Sequence, residues 1–295
     1  MTVLIGTRGS ALALAQSGLV ADELTKHGAD VELVPITTTG DKGAATEDKS
    51  RFVKEIEEAL LSGEVDLAVH SAKDVPGTLP DGLAIVGVPE RADPRDAICG
   101  ASGLGDLSAG ARVGTSSLRR QAQLLALRPD LDVAELRGNV DTRLQKLADG
   151  AYDAIVLAAA GLARLDREGE GIPIDLTPAA GQGCLALEAR VGDGEIADLA
   201  ALLTHHDSLV CLTAERALVT ELDATCRTPV AAYARFEHGA LRMDAFVGLP
   251  SGSTWIRDEL SSDAEDPAHL GRELAQRLIA AGAKDVLAQA ESAAR

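Results

Sequence analysis

"RVGTSSLRRQAQL", residues 112–124, follows the same plan as "LIGTRGSALALAQ", residues 4–16. Each opens on a short apolar run, turns at Gly-Thr, passes through a segment of Ser and Arg, and continues in small and apolar residues at helical spacing. That is the pattern of a strand delivering a helix. Its recurrence predicts that one α/β unit is built twice along the chain.

Working outward, strand-like and helix-like segments alternate. "VELVPITT" reads as a strand, "RFVKEIEEALLSG" as a helix closed by Gly63, and "VDLAVHS" as a strand with Val65, Leu67 and Val69 alternating. "LAIVGVP" is another strand. After "ERADPRDA" the theme restarts, with a hinge expected near residues 89–96. "DVAELRG" reads as a strand, "NVDTRLQKLADG" as a helix, and "YDAIVLAAAGLARL" as a strand running into a helix. From about residue 205 the character changes. One helix, "HHDSLVCLTAERALVTEL", precedes three strands and a single closing helix, "PAHLGRELAQRLIAAGAKDVLAQ", which is the make-up of a small α+β domain.

A length of 295 residues suits two or three domains. Hydrophobic residues make up 46% but aromatic ones only 2%, so the cores must rest on Val, Leu, Ile and Ala. No run of eighteen apolar residues occurs, and "MTVLIGTRGS" enters a strand directly without a basic leader, which predicts a soluble cytoplasmic protein away from membranes. Asp and Glu number 46 against 28 Lys and Arg, a net charge of −18 that opposes binding to nucleic acid. Composition alone does not separate high-salt adaptation from a GC-rich genome. The four cysteines form no CxxC pair and fit no zinc template. No P-loop, GxGxxG, HExxH or EF-hand pattern is present.

Within this acidic chain, cations gather at strand ends. Arg8, Arg119 and Arg120 follow predicted strands, with Ser10, Thr115, Ser116 and Ser117 beside them; Arg137 and Arg143 extend the group. Helix N-termini and arginine forks together suit carboxylate or phosphate. A single such arginine is read as well by a surface salt bridge; five at equivalent strand ends favour a polyanion site. "HSAKDVP", residues 70–76, delivers Ser71, Lys73 and Asp74 at the end of another strand. There an Asp beside cations either stabilises a developing positive charge or closes a turn before Pro76, and spacing leaves both open. Cys99, Cys184 and Cys211 lie in apolar surroundings and read as small buried hydrophobes. Cys226, in "LDATCRTP" beside Arg227, reads as an exposed thiol. No His lies within a few residues of it, so a hydrolase-type Cys/His pair has no support, and a covalent role stays open. "GAATEDKS", residues 43–50, reads as a mobile loop.

Together and in order, "GTRGSALALAQ", "FVKEIEEALLSGEVDLAVHSAKDVP", "ERADPRDA", "VGTSSLRRQAQL", "ELRGNVDTRLQKL", "YDAIVLAAAGLARL", "GQGCLALE" and "HHDSLVCLTAERAL" resemble the porphobilinogen deaminase family, also called hydroxymethylbilane synthases, along essentially the whole chain. The resemblance implies a transferase that joins four porphobilinogen molecules head to tail, each losing ammonia, to give hydroxymethylbilane for porphyrin and heme biosynthesis. It implies a dipyrromethane cofactor held by a thioether to the cysteine matching Cys226, and a monomer acting on a small molecule. It implies two similar α/β domains like type II solute-binding proteins, residues 1–92 with 180–203 and residues 93–179, plus a small α+β domain, residues 204–295, carrying the cofactor cysteine.

Carried over residue by residue, Asp74 matches the catalytic carboxylate. Lys73, Ser117, Arg119, Arg120, Arg137 and Arg143 match residues that hold cofactor carboxylates, with Ser71 and Thr115 beside them. Arg8, Ser10 and Arg164 match groups near the incoming substrate; Lys49 matches a lysine of the active-site loop, and Gln182 lies in the "GQG" turn. No metal is implied. Two stretches depart from the family pattern. The loop "KGAATEDKSRF" is short, with Ser50 and Arg51 where the family often ends G-K-G-x-F. Ala224 and Thr225 precede Cys226 where glycines are usual. On the same two-lobed scaffold the rival is a non-catalytic anion-binding protein, which needs no cysteine.

Overall fold

Apolar residues in "TVLIGTR" and "LAVHS" alternate between two faces, and that alternation builds the first sheet. The computed structural model describes residues 2–37, 53–225 and 228–293. The chain divides into two compact units, residues 1–92 with 184–209, and residues 93–183 with 210–295.

The first unit begins β1 (Thr2–Arg8), α1 (Ala11–Lys26), β2 (Asp30–Ile36), α2 (Lys54–Ser62), β3 (Leu67–Ser71) and β4 (Leu83–Gly87). The second continues with β5 (Asp96–Cys99), β6 (Arg112–Gly114), α3 (Leu118–Leu127), β7 (Asp132–Ala134), α4 (Val140–Ala148), β8 (Ala154–Ala158), α5 (Ala159–Ala163) and β9 (Ile172–Ile174). The chain then returns to the first unit for β10 (Leu185–Arg190) and α6 (Gly194–Leu202). After α7 (His206–Glu221), which runs across the boundary, come β11 (Val230–Glu237), β12 (Ala240–Gly248), β13 (Trp255–Ser262), α8 (Pro267–Ala280) and α9 (Ala283–Ala293).

The two large sheets share one plan. Their strand orders are β2-β1-β3-β10-β4 and β7-β6-β8-β5-β9. In each, the first three strands run parallel and the fourth runs antiparallel to both its neighbours. The repeat read from residues 4–16 and 112–124 is therefore present in the fold. The fourth strands, β5 and β10, carry no turn signal or alternation that marks them in the sequence. Both are four to six residues long and almost wholly buried, so their apolar runs read only as surroundings for Cys99 and Cys184.

In the first sheet, Val3, Ile5, Leu67, Val69, Leu185 and Leu187 face α1 and α6, joined by Val20, Leu24 and Ile196. The opposite face carries Ala68 and packs on Ile56, Ala59 and Leu60 of α2. Full burial of a Leu or Ile side chain contributes about 1.5–3 kcal/mol, so these stripes hold the helices on the sheet. The third sheet, β11-β12-β13, packs Ala232, Met243 and Val247 against Leu218, Leu274, Leu278 and Leu287. Its Ala231 and Phe246 also meet Ala122 of α3. The closing segment is two helices rather than the one expected, because Gly282 adopts φ +100° and ends α8.

Helix α8 approaches α7 through Gly271. A Cβ placed there would lie 2.1 Å from the carbonyl oxygen of Ala214, whereas a Cβ on Gly18 in α1 would meet nothing within 4 Å. The expected outcome is opposite signs for one chemical change. Gly271→Ala destabilises by about 1–3 kcal/mol through overpacking, and Gly18→Ala stabilises by about 0.5–1 kcal/mol. Denaturant unfolding of the two variants checks this; equal effects would contradict the close helix contact.

Candidate active site

In the first unit, β1 and β3 are parallel neighbours, Ile5 opposite Leu67. Their carboxyl ends therefore lie at one edge of the sheet, where Arg8, Ser10, Ser71, Lys73 and Asp74 are found. Ser10 caps α1, accepting from the Ala13 amide. Gln16, one helical turn further, donates to Ser71 Oγ at 2.8 Å and ties α1 to the end of β3. Beyond Ser71 the chain makes one 3-10 turn, Ala72–Asp74. Ala72 is buried and donates its amide to the Cys184 carbonyl at 3.1 Å, so the turn is fixed to the residue where the chain re-enters this unit. Lys73 and Asp74 are half-buried at this edge. Lys49 lies outside the described residues.

In the second unit, β6 and β8 are the parallel neighbours. The Thr115 amide donates to the Ala134 carbonyl, and the Ser117 amide donates to Thr115 Oγ1 at 3.2 Å. Ser117 caps α3, accepting from the Arg120 amide. Asn139 caps α4 in the same way. Arg143 Nε donates to the Gly138 carbonyl at 2.8 Å and Lys146 Nζ to the Arg137 carbonyl at 3.0 Å, which fixes the backbone that presents Arg137. Arg137 also pairs with Glu135 at 2.6 Å, a contact more than half exposed on both sides. Such exposed pairs contribute about 0–1 kcal/mol.

Arg119 and Arg120, by contrast, are interior residues, 4% and 5% exposed. Both point to Asp96, the first residue of β5, which has no exposed surface. Arg119 meets the carboxylate with two nitrogens, at 2.6 and 3.1 Å, and also donates to the Thr177 carbonyl at 2.7 Å. Arg120 meets Asp96 Oδ1 through Nε at 2.9 Å and Nη2 at 2.8 Å, and donates to the Val156 carbonyl. Gln182 joins them, donating to Asp96 Oδ1 at 2.9 Å and to the Pro94 carbonyl at 2.8 Å. Burial alone would raise the Asp96 carboxyl; the charges of Arg119 and Arg120, with hydrogen bonds from Arg119 and Gln182, outweigh it and hold the group well below the usual carboxylate range.

The turn that carries Gln182 is pinned on both sides. Glu215, buried in α7, accepts from the Gly181 amide at 2.6 Å and the Ala234 amide at 2.8 Å. Arg164 Nη2 donates to the Gly183 carbonyl at 2.7 Å. Asp96 and Glu215 were not visible as site residues in the sequence. The one signal for Asp96 was a charged residue immediately before an apolar run, which a buried strand tolerates only with partners.

Cys99, Cys184 and Cys211 are buried. Burial pushes the Cys99 thiol up to about 11, which leaves it un-ionised and unreactive near neutrality. Cys226 and Arg227 lie outside the described residues. Their flanks are held together, since the Thr225 amide donates to Thr228 Oγ1 at 2.9 Å and Thr228 Oγ1 donates to the Thr225 carbonyl at 2.6 Å.

Residues 3–198 match the family model described as "Porphobilinogen deaminase, dipyromethane cofactor binding domain", and residues 209–280 match "Porphobilinogen deaminase, C-terminal domain". The chain belongs to the porphobilinogen deaminase family. It is 50% identical to the porphobilinogen deaminase of Thermus thermophilus over 97% of this chain and 98% of that one. It is 46% identical to that of Geobacter metallireducens, over 97% and 93%. Among solved structures it is similar to immunogenic lipoprotein A from Vibrio vulnificus, at 17% identity and a TM-score of 0.45, covering 70% of this chain and 96% of that one.

In this chain, Asp96 contributes stability while ionised. Its depressed value means that the contribution is present above the ordinary carboxyl range, about 3.9, and is lost as pH falls towards the lower folded value. Asp96→Asn leaves two buried guanidinium groups without a counter-charge and is expected to destabilise by about 3–5 kcal/mol near neutrality. Urea unfolding of the variant and the wild type across acid pH checks the sign. The gap between them narrows below about pH 4; a gap independent of pH would mean Asp96 is not ionised in the fold.

Proposed function

We propose that this chain condenses four porphobilinogen molecules head to tail, each losing ammonia, to give hydroxymethylbilane, and that Asp74 is its catalytic carboxylate. The observation that carries this reading is the fixed Lys73–Asp74 turn at the carboxyl end of β3, beside Arg8 and Ser10, in a chain of this family.

Each pyrrole ring of the substrate carries an acetate and a propionate. Apart from Asp74, the assigned side chains Arg8, Ser10, Ser71, Lys73, Thr115, Ser117, Arg137 and Arg143 are all hydrogen-bond donors, half of them cationic. That donor set fits a polycarboxylate cofactor attached at Cys226, with Lys73, Ser117, Arg137 and Arg143 on its carboxylates. When bound, dipyrromethane supplies the pyrrole carbon from which the chain grows. Arg119 and Arg120 act from behind the first turn of α3, where two cations share one carboxylate and leave a surplus positive charge. Arg8, Ser10 and Arg164 receive the incoming ring, with Lys49 and Gln182 assigned beside them.

Asp74 accepts the pyrrole N–H. As ammonia leaves the aminomethyl carbon, positive charge develops on the ring. A fixed carboxylate stabilises that charge more than it stabilises the neutral ground state, which lowers the barrier. The reading extends to a cytoplasmic monomer that binds neither nucleic acid nor membrane. A net charge of −18 supports the first exclusion. No helix among the described residues is long and apolar enough to cross a membrane.

Intact mass of the purified chain is the first test. A covalent dipyrromethane adds its mass to wild type and not to Cys226→Ala, and an unmodified wild type would favour a plain anion-binding protein. Asp74→Asn, with adduct content verified, is expected to lower single-turnover rate by about 10²–10³-fold. Near-normal rates would leave Asp74 as a turn residue only.

A further inference from the structure

Three titratable side chains meet inside the first unit, away from the residues assigned above. His70 lies on β3 and Glu188 on the antiparallel strand β10. The register sets His70 opposite Ala186 and Ala68 opposite Glu188, so both side chains stand on one face of the sheet. Ala68 belongs to the core under α2, which makes this the α2 face. His70 Nε2 and Glu188 Oε2 are 2.9 Å apart. Glu57, from α2, completes the group, and all three are buried, Glu188 completely.

Two oxygens here have no hydrogen-bond partner, Glu57 Oε1 and Glu188 Oε1. An orphaned carboxylate oxygen in the buried interior is unfavourable for an ionised group, and for Glu57 a proton relieves it. We propose that Glu57 keeps a proton beside the hydrogen-bonded His70–Glu188 pair, and that this buried cluster positions the Lys73–Asp74 turn. The catalytic half of the inference rests on the reading of Asp74 given above.

The positions explain the coupling. His70 stands four residues before Asp74, and its neighbour Ser71 pairs with Leu185, the first residue of β10. The cluster thus clamps β3 to β10 and α2 immediately before the chain leaves the sheet for the turn. Among the described residues, the charges acting on Glu57 are Glu58 on its own helix, His70 from β3 and Glu188 from β10; β10 also brings Arg190, whose guanidinium donates to the Leu60 carbonyl of α2. Burial first, and then the Glu188 charge, raise the Glu57 carboxyl above its ordinary value, with His70 opposing. A carboxyl raised in the folded chain gives most stability below its unfolded value, about 4.3. That stability falls as pH rises towards the folded value. Loss of the Glu57 proton adds a charge that the buried interior and Glu188 oppose, and loosens the clamp.

The experiment compares wild type, Glu57→Gln and Glu188→Gln as adduct-bearing proteins, measuring Tm, kcat and KM from about pH 5 to about pH 9. Glu57→Gln, a neutral mimic of the protonated form, is expected to gain Tm over wild type as pH rises, and its kcat relative to wild type rises in parallel. Glu188→Gln loses the carboxylate that anchors His70 and lowers kcat by about 10- to 100-fold through misplacement of the turn; KM changes less than about 3-fold, because the lost interaction is not a substrate contact. A Tm difference between Glu57→Gln and wild type that does not vary with pH overturns the proton on Glu57. A pH-dependent Tm difference with parallel kcat profiles overturns the positioning role. A wild type that forms no hydroxymethylbilane removes the proposed function and the catalytic half with it, while the Tm comparison still decides the proton.

Discussion

Asp96 has no contact with solvent, yet it is surrounded by Arg119, Arg120 and Gln182 at hydrogen-bond distance. Through these three partners one carboxylate joins the first turn of α3, the start of β5 and the turn at 181–183, and the same arginines reach the carbonyls of Val156 and Thr177. Taking two guanidinium groups and a carboxylate out of water is costly, and their mutual attraction offsets this only when geometry is good and remaining donors are satisfied. Here the bidentate contact and the two carbonyls meet that condition. Net stability is therefore the weaker consequence of the cluster. The stronger one is positional: Asp96, Arg119, Arg120 and Gln182 are satisfied together, so the segments at residues 94–96 and 181–183 are held side by side.

The doubled arginine at 119–120 reads differently from the sequence and from the structure. Strand-end position correctly places Arg8, Ser10, Lys73 and Asp74 at one edge, because the position of a strand's end follows from local pattern. The direction in which Arg119 and Arg120 point does not. Their partner is 23 and 24 residues earlier, in a strand that has no period of its own. His70 and Glu188 are 118 residues apart, and Gln182 is 86 from Asp96. Local periodicity resolves contacts within a dozen or so residues. The repeated strand–turn–helix starts lie within that reach, and the partners of buried charges lie beyond it. The break at Gly282 is a lesser case, where a glycine inside a helical pattern ends the helix instead of being absorbed by it.

The two large sheets carry this logic at equivalent places. The antiparallel fourth strand is β10 in the first sheet, reached only after the chain has passed through the second unit, and β5 in the second, the first strand of its own segment. Each carries one carboxylate with no exposed surface, Glu188 and Asp96. A short strand of Ala, Leu, Ile and Cys offers little to fix its register, since sliding it by two residues keeps every apolar side chain on its original face. A buried carboxylate removes that freedom, because any slip takes it away from its partner and leaves a charge unpaired in the core. The partners differ in sign balance. Asp96 has two arginines and an excess of positive charge, whereas Glu188 has one imidazole and faces a second carboxyl. The same device that sets register therefore leaves a positive interior charge behind the first turn of α3 in one unit. In the other it leaves a proton-dependent one behind the strand that ends at Lys73 and Asp74.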